Sequence, residues 1–330
     1  MQFVLKSAVL AAVCLAFAGT AHAEFPERNI EDVYPWAPGA TMAVSQIIAD
    51  AMGQELGVNI SVVSTPGAFG TKAFLTAMDK PADGYAIIDG YVAPLVQQPM
   101  QGAVDYTYKD FIPLWSATSN SFAIGIRSDE TRFTDFPSLI AYIKAHPGEL
   151  RYTAGVAETL PHMVAANVLQ AEDAVAQVVP YPEIDVGAKD LEGGILDFMV
   201  LNPGVYKTHK DSIKPVAVLS ELERASETYG GAPRVQDFDI EIGMTGLAPM
   251  GWNWWVVKKG TPDDVVAKLR DAMGKALQRE EVQQKITDMG FVPLGYGPDQ
   301  YDEVVGPVAD GLKSGLAAIA WEKEQLGKLQ

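Results

Sequence analysis

The chain has 330 residues, of which 48% are hydrophobic, and it carries 25 Lys and Arg against 42 Asp and Glu. The formal net charge of −17 argues against nucleic acid and anionic membrane surfaces as partners. The length and the apolar content are enough for about two domains, each with its own core.

Residues 1–23 are typical of a secretory signal peptide. Lys6 precedes an apolar run over residues 8–18, and Ala21-His22-Ala23 forms an Ala-x-Ala cleavage site. The run is too short to span a membrane, and the residue before Cys14 is not the small one that lipidation requires. We therefore expect cleavage after Ala23, a periplasmic protein without membrane insertion, and no internal disulfide, because Cys14 is the only cysteine.

The first predicted strand, turn and helix lie within residues 33–56. A short apolar strand runs into the Pro38-Gly39 turn, Thr41 is a candidate N-cap, and an amphipathic helix follows at once. Such a turn directs free backbone N–H groups and the positive end of the helix dipole to one place. This geometry suits an anion, although by itself the pattern more often marks an ordinary first βα unit.

The same pattern recurs twice before residue 95. A predicted strand at 59–64 leads into the Gly-rich turn 65–70, and a strand at 85–88 leads into Asp89-Gly90-Tyr91. If the three strands are parallel, all three loops lie at one edge of a sheet. Ligands of open α/β sheets bind at that carboxyl edge.

After a crossover strand at 122–126, helices and strands alternate again, which predicts an α/β fold. The predicted elements are helices at 138–145, 162–169 and 186–191, strands at 151–153, 177–180, 198–201 and 216–219, and, after a surface loop at 221–243, strands at 246–249 and 254–257 and helices at 262–278, 281–289 and 299–323.

Sequence patterns for catalysis or metal binding are weak. After cleavage His146, His162 and His209 remain, without a His-x-x-x-His pair or a carboxylate-rich Ca²⁺ loop. The chain has no Gly-x-Ser-x-Gly motif, and the glycines Gly67 and Gly70 lack the Lys-Ser/Thr of a phosphate-binding P-loop. We expect no metal site, no cofactor, no catalytic residue and no enzymatic activity.

Aromatic residues accompany the predicted loops. Trp36, Phe69 and Tyr91 each lie at or beside one of the three loops, and three tryptophans cluster within residues 252–255. Packing in the core explains at least half of them. The alternative is a cleft with apolar walls, suited to a ligand with a hydrophobic or aromatic body.

Eight short motifs follow one another along the chain after the signal peptide. They are 35–40 (Pro-Trp-Ala-Pro-Gly-Ala), 65–70 (Thr-Pro-Gly-Ala-Phe-Gly), 81–86 (Pro-Ala-Asp-Gly-Tyr-Ala), 146–152, 179–181, 191–194 with Asp197, 248–249 and 260–262. In this order they resemble the periplasmic solute-binding proteins of tripartite tricarboxylate transporters, the Bug or TctC family. The resemblance covers almost all of the chain.

The resemblance implies a two-lobed periplasmic binding protein of type II, a Venus flytrap whose lobes are mostly parallel sheets flanked by helices. We place lobe 1 at residues 24–123 plus 246–330 and lobe 2 at 124–245. The implied function is capture of a small carboxylic acid by hinge closure and its delivery to membrane permease subunits. We expect a monomer.

The resemblance also implies that backbone N–H groups of the first two loops bind the carboxylate, and that the second lobe contributes a loop before a His-containing helix. The residues expected to bind the ligand are Trp36, Gly39, Ala40, Thr41, Gly67, Ala68, Phe69, Gly70, Tyr91, Thr159, Glu183 and Asn202.

Some positions depart from the family pattern. Ala40 and Phe69 stand where the family has glycines, and Glu158 and Glu183 lie in second-lobe loops where other residues are usual. These carboxylates are rim charges by default. If they face the cleft, they disfavour a highly charged anion, so we expect a ligand with one anionic end or an apolar body, and not citrate.

Two other functions fit the same residues. A binding protein of this fold can serve as co-receptor for a two-component sensor, which a neighbouring sensor-kinase gene would indicate. A secreted hydrolase is the third candidate, and it would turn its ligand over.

Overall fold

A computed structural model describes residues 24–182, 184–240 and 251–329. The predicted signal peptide, the predicted strand at 246–249 and Glu183 lie outside these ranges. The strands are β1 Ile30–Tyr34, β2 Ile60–Ser64, β3 Ala86–Tyr91, β4 Phe111–Ser119, β5 Phe122–Arg127, β6 Arg151–Thr153, β7 Gln177–Val178, β8 Phe198–Leu201, β9 Ile213–Leu219, β10 Trp252–Lys258 and β11 Val292–Pro293.

The helices pack on the two sheets that these strands form. They are α1 Ala40–Leu56, α2 Thr71–Met78, α3 Phe136–Ala145, α4 Leu160–Ala171, α5 Ile184–Glu192, α6 Pro203–His209, α7 Glu223–Thr228, α8 Asp263–Gln278, α9 Glu280–Asp288, α10 Tyr301–Val305 and α11 Val308–Leu329, with a π-helical turn at Ala93–Gln97 that continues into Gln98–Met100. In the part of the chain described, no helix combines the length and apolar composition needed to cross a bilayer.

The first sheet, with helices α1, α2, α8 and α9, forms the first lobe. Its described strands lie in the order β11-β4-β10-β3-β1-β2. Strand β1 pairs in parallel with both β2 and β3, so the predicted convergence of three loops at one sheet edge is confirmed. Strands β4 and β10 add antiparallel pairs, which makes the sheet mixed.

The second sheet, with helices α3 to α7, forms the second lobe. Its described strands lie in the order β7-β6-β8-β5-β9, and it too is mixed, since β5 runs antiparallel to its neighbours β8 and β9. The chain passes from one sheet to the other between β4 and β5. The lobe boundaries proposed from the sequence remain predictions.

Helix α6, strand β11 and the helical segment 93–100 were not predicted from the sequence, and two further regions differ from the sequence analysis. Strand β4 was not predicted, and the segment 221–243, predicted as a surface loop, contains helix α7 and buries Ala225, Tyr229 and Val235. In both regions polar residues and turn residues interrupt the apolar pattern. These apolar residues can be recognised as core residues only when the sheet on which they pack is known.

Helix α11 connects the lobes from the outside. It follows α10, whose Tyr301 packs edge-on against Trp254 of the first sheet. Helix α11 itself packs along α4 of the second lobe, where Gly315 lies against Met163 and Glu322 is fully buried. The last helix therefore begins at the first lobe and ends on the second.

Candidate ligand-binding cleft

The N-terminus of α1 is open to a ligand. Gly39 precedes the helix with an extended backbone (φ −177°, ψ −167°), and it has no side chain to cap the first turn. Thr41, the predicted N-cap, lies inside the helix instead, and its side chain contacts the Tyr34 phenol. The first N–H groups of α1, around exposed Ala40, therefore remain available to an anion or to water.

The loop after β2 has an unusual backbone. Gly67, Ala68, Phe69 and Gly70 all have positive φ, at 139°, 47°, 51° and 88°. The two non-glycine residues are strained, since a left-handed conformation places Cβ close to the following carbonyl. Consecutive N–H groups in such turns form concave anion sites, and strain of this kind concentrates at functional sites.

The aromatic residues divide into core and cleft. Phe69 is 49% exposed at the mouth of its loop. Trp36 is half-buried and packs edge-on against buried Tyr91, with ring centroids 5.9 Å apart. The tryptophans within 252–255 are buried in the sheet. Phe69 and Trp36 are thus placed to contact a ligand, whereas Tyr91 supports Trp36 from behind.

The second-lobe loop 155–159 precedes α4. Glu158 has a left-handed backbone, with φ of 61°. The Thr159 hydroxyl donates to the Val156 carbonyl over 2.7 Å, and the Val156 side chain is 40% exposed. The loop therefore presents an apolar side chain and a hydroxyl that is already engaged.

Glu158 joins the two lobes. Its carbonyl accepts a hydrogen bond from Gln97 Nε2 of the first lobe at 3.0 Å. Its carboxylate pairs with Lys323 of α11 at 2.8 Å, and this contact lowers the pKa of the carboxyl group. The charge of Glu158, expected at the rim of the cleft, is therefore compensated by a neighbouring ammonium, and Gln97 forms a contact between the lobes that sequence analysis missed.

A buried network fixes the same loop from below. The Glu158 N–H donates to His162 Nδ1 at 3.0 Å, and His162 Nε2 lies 3.0 Å from Glu322 of α11. Tyr152 donates to the same carboxylate at 2.8 Å. Because Nδ1 accepts, Nε2 carries the imidazole proton and donates to Glu322. The cleft loop is thereby fixed to the last helix.

The N-terminus of α6 faces that of α1 across the lobes. Asn202 caps α6, because its Oδ1 accepts a hydrogen bond from the Val205 N–H at 2.8 Å. This oxygen is therefore already engaged by the helix. A Cβ on Gly204 would lie only 3.9 Å from the Ala40 Cβ. Lys207 also donates to the Asp288 carbonyl of the first lobe at 2.6 Å. The lobes are therefore in contact on this side.

Two carboxyl groups lie behind α1. Asp32 in β1 and Asp89 in β3 are fully buried. Burial raises the pKa of Asp89 to about 6, although hydrogen bonds from Ser45 and Asn253 oppose the shift. Burial, followed by the charges of Asp89 and Glu31, raises the pKa of Asp32 well above its ordinary range. Asp32 interrupts the apolar strand Ile30–Tyr34, a sequence signal that we did not use.

Comparison with known proteins identifies the family. The sequence profile described as tripartite tricarboxylate transporter family receptor (TctC) matches residues 44–312. The chain belongs to this family. The receptor is 23% identical to protein BugT of Bordetella pertussis over 282 residues, a match that covers 84% of each chain. The family inferred from the motifs is confirmed.

Solved structures show the same fold. A TctC solute-binding protein from Polaromonas has a TM-score of 0.72 and 23% identity, covering 90% of the receptor and 99% of that chain. R. palustris Rpa4515, solved with adipate, has a TM-score of 0.74 and 20% identity, covering 89% and 98%. The predicted two-lobed α/β class is confirmed, and the family is a class of periplasmic receptors rather than of enzymes.

Proposed function

We propose that this receptor captures a small organic acid in the periplasm, binding one carboxylate end and an apolar or aromatic body between its lobes. The observation that carries the proposal is that the uncapped N-terminus of α1 and the left-handed loop 67–70 follow adjacent parallel strands, while α6 faces α1 across the lobes.

The carboxylate would bind to backbone N–H groups of Gly39, Ala40, Thr41 and the 67–70 loop. The partial positive charge of a helix N-terminus favours an anion there. Neither of these segments carries a lysine or arginine side chain, and beside them in the sequence a single ammonium is that of Lys72, whose stem packs against Gly67. The site therefore suits a single carboxylate better than a tricarboxylate, which supports the expectation against citrate.

The body of the ligand would lie against apolar side chains from both lobes. Phe69 and Trp36 come from the first lobe, while Val156 and Val186, both exposed, come from loops and helix starts of the second. Exposed apolar groups at a cleft gain free energy when a ligand covers them, at about 25 cal/mol per Å². The adipate in the R. palustris relative is an acid with such an apolar middle.

The remaining parts of the proposal concern partners and location. The signal peptide would be removed after Ala23, and the monomeric receptor would deliver its ligand to permease subunits of a tripartite transporter without transforming it. The family description supports the transporter partner. No metal or cofactor has a role in this proposal.

A thermal-shift screen of the mature protein tests it. The screen would compare aliphatic dicarboxylates, citrate, aromatic acids and acidic amino acids. A ligand that binds only the folded state at 100 times its Kd stabilises it by about 2.7 kcal/mol. Shifts with aromatic acids or with long aliphatic dicarboxylates support the proposal. A shift with citrate alone contradicts the apolar cleft, and no shift with any acid contradicts carboxylate capture.

A further inference from the structure

The buried pair Asp32 and Asp89 lies on one face of the first sheet. Strands β1 and β3 are parallel neighbours, and Asp32 pairs with Ile87, two residues before Asp89. Since side chains alternate along a strand, the two carboxyl groups share a face. Helix α1 covers that face, because its Ser45 Oγ donates to Asp89 at 2.5 Å.

The two carboxyl groups differ in their partners. Asp89 accepts from Ser45 and from Asn253 Nδ2, the latter at 2.7 Å. Asp32 has both oxygens buried, and neither has a hydrogen-bond partner among the described residues. An unpaired charge buried in this way costs several kcal/mol, so a carboxyl group there holds its proton.

No cation compensates the pair. The titratable groups that share its face are the phenols of Tyr34 and Tyr91, while Glu31, next to Asp32 on β1, points to the opposite face and adds only a nearby negative charge. Within the described ranges, neither carboxyl group forms an ion pair or hydrogen bond with a lysine, arginine or histidine. Three cations of the same lobe have other partners: Lys80 binds Glu31, Lys268 binds Glu24, and Arg270 binds the Pro113 carbonyl.

The pair is connected to the start of α1. The Ser45 Oγ, whose one proton is donated to Asp89 at 2.5 Å, also lies 3.3 Å from the Thr41 carbonyl oxygen in the first turn of the helix. The Thr41 side chain contacts Tyr34, next to the same carboxyl groups. Negative charge at the pair would act through this short, buried path on any anion at the helix N-terminus, because screening by water is weak in the interior.

We propose that Asp32 and Asp89 form a proton-binding site behind α1 that makes capture of a carboxylate stronger at low pH than at high pH. This inference rests on the proposed function, since it concerns the same anion site. By linkage, a proton that strengthens carboxylate binding is itself bound more tightly when the ligand is present. Capture then takes up a proton from solution wherever the pair is partly ionised.

The sign of the pH dependence follows from the burial of the pair. Folding raises the pKa of both groups, so their protons stabilise the fold most below the ordinary value of 3.8, and this stabilisation is lost as pH rises. For Asp89 this stabilisation is lost as pH rises through its folded-state pKa of about 6, and the raised pKa of Asp32 acts in the same direction. Groups with a lowered pKa, such as Glu130 at about 2, change the stability of the fold only at more acidic pH.

The first experiment uses the mature protein without ligand. Its Tm is measured from about pH 5 to about pH 8, a range above the ordinary pKa of carboxylates. We expect Tm to fall with rising pH in the wild type and to fall less in Asp32→Asn and Asp89→Asn, which cannot ionise. Asp105→Asn, which removes an exposed carboxylate, should follow the wild type.

Three outcomes overturn the proton site. One is a wild-type Tm that does not fall over this range, and another is a fall that persists in both Asn variants. The third is a Tm that is higher in Na⁺ than in choline at equal ionic strength. That result would show that a cation is bound in place of the proton. If Asp32→Asn does not fold, Asp89→Asn and Asp32→Val, which fits the apolar strand, decide between these outcomes.

The second experiment measures affinity. Calorimetry with the acid that gives the largest shift in the thermal screen should show binding about fivefold or more weaker at pH 8 than at pH 5.5. In Asp32→Asn, the ratio of the affinity at pH 5.5 to the affinity at pH 8 should approach one. Equal ratios in both proteins overturn the linkage and leave the proposed function intact. If no acid binds at either pH, the proposed function and the linkage both fail, while the Tm series still decides whether the pair holds a proton.

Discussion

Phe69 combines exposure with backbone strain. Its side chain is 49% exposed and its φ is 51°, a conformation that glycine adopts without cost. We expect Phe69→Gly to leave Tm unchanged or slightly higher, because relief of about 1 kcal/mol of strain offsets the freedom that glycine adds to the unfolded chain. Calorimetry should show that aromatic acids bind about tenfold more weakly, through loss of ring contacts.

Asp173→Gly provides the control for strain alone. Asp173 is exposed, has a φ of 49° and lies at the end of α4, away from the loops of the cleft. This variant should gain the same backbone relief and bind every acid as the wild type does. Equal losses of aromatic and aliphatic acids in Phe69→Gly, or no loss, would show that the ring does not touch the ligand.

Glu322 is the residue on which the second-lobe loop depends. Truncation in Glu322→Ala leaves Tyr152 and His162 without their shared acceptor in a buried site. We expect urea unfolding to show a loss of about 3 kcal/mol. Glu324→Ala on the same helix removes an exposed pair with Lys328, so it should lower the free energy of unfolding far less than Glu322→Ala does. Similar losses in the two variants would contradict the network.

In the proposed site, helix α1 binds the carboxylate through its backbone, so charge at its start should matter more than bulk. Gly39 has an extended backbone, and an added Cβ would have no atom within 4 Å. A side chain at this position therefore does not block the turn. Gly39→Glu should keep or raise Tm, since an acidic cap favours the helix, yet weaken carboxylate binding more than tenfold, about 1.4 kcal/mol.

Gly39→Gln separates charge from size in that experiment. The glutamine has nearly the same shape but no charge, so calorimetry should show a much smaller loss of affinity than with Gly39→Glu. If both variants lose affinity equally, the carboxylate does not lie at this helix N-terminus.

At the level of elements, the sequence was informative where a pattern was local. The strands β1, β2 and β3 and the turns after them followed from apolar runs ending in Pro and Gly. Strand β4 was missed because Pro113 and Ser116 break its apolar pattern, yet its Pro113 carbonyl accepts from Arg270. Contacts such as Gln97 with Glu158 join residues 61 apart, and no local pattern encodes such a pairing.

The whole molecule can be tested with a wedge between its lobes. Gly204 at the start of α6 faces Ala40 of α1, and a side chain there would point into the contact. We expect Gly204→Trp to increase the radius of gyration in small-angle scattering and to reduce the thermal shift caused by any acid. Gly327→Trp, on a part of α11 with open space around it, should do neither. A compact Gly204→Trp protein with normal binding would contradict lobe closure at this contact.

Helix α11 also affects the order in which the molecule can fold. Glu322 is separated by 170 residues from Tyr152 and by 160 from His162, and it accepts from both. A chain made from its N-terminus therefore presents these two groups long before their acceptor is synthesised. Closing so long a loop is slow. The second lobe must stay incomplete until the last helix of the chain has been made.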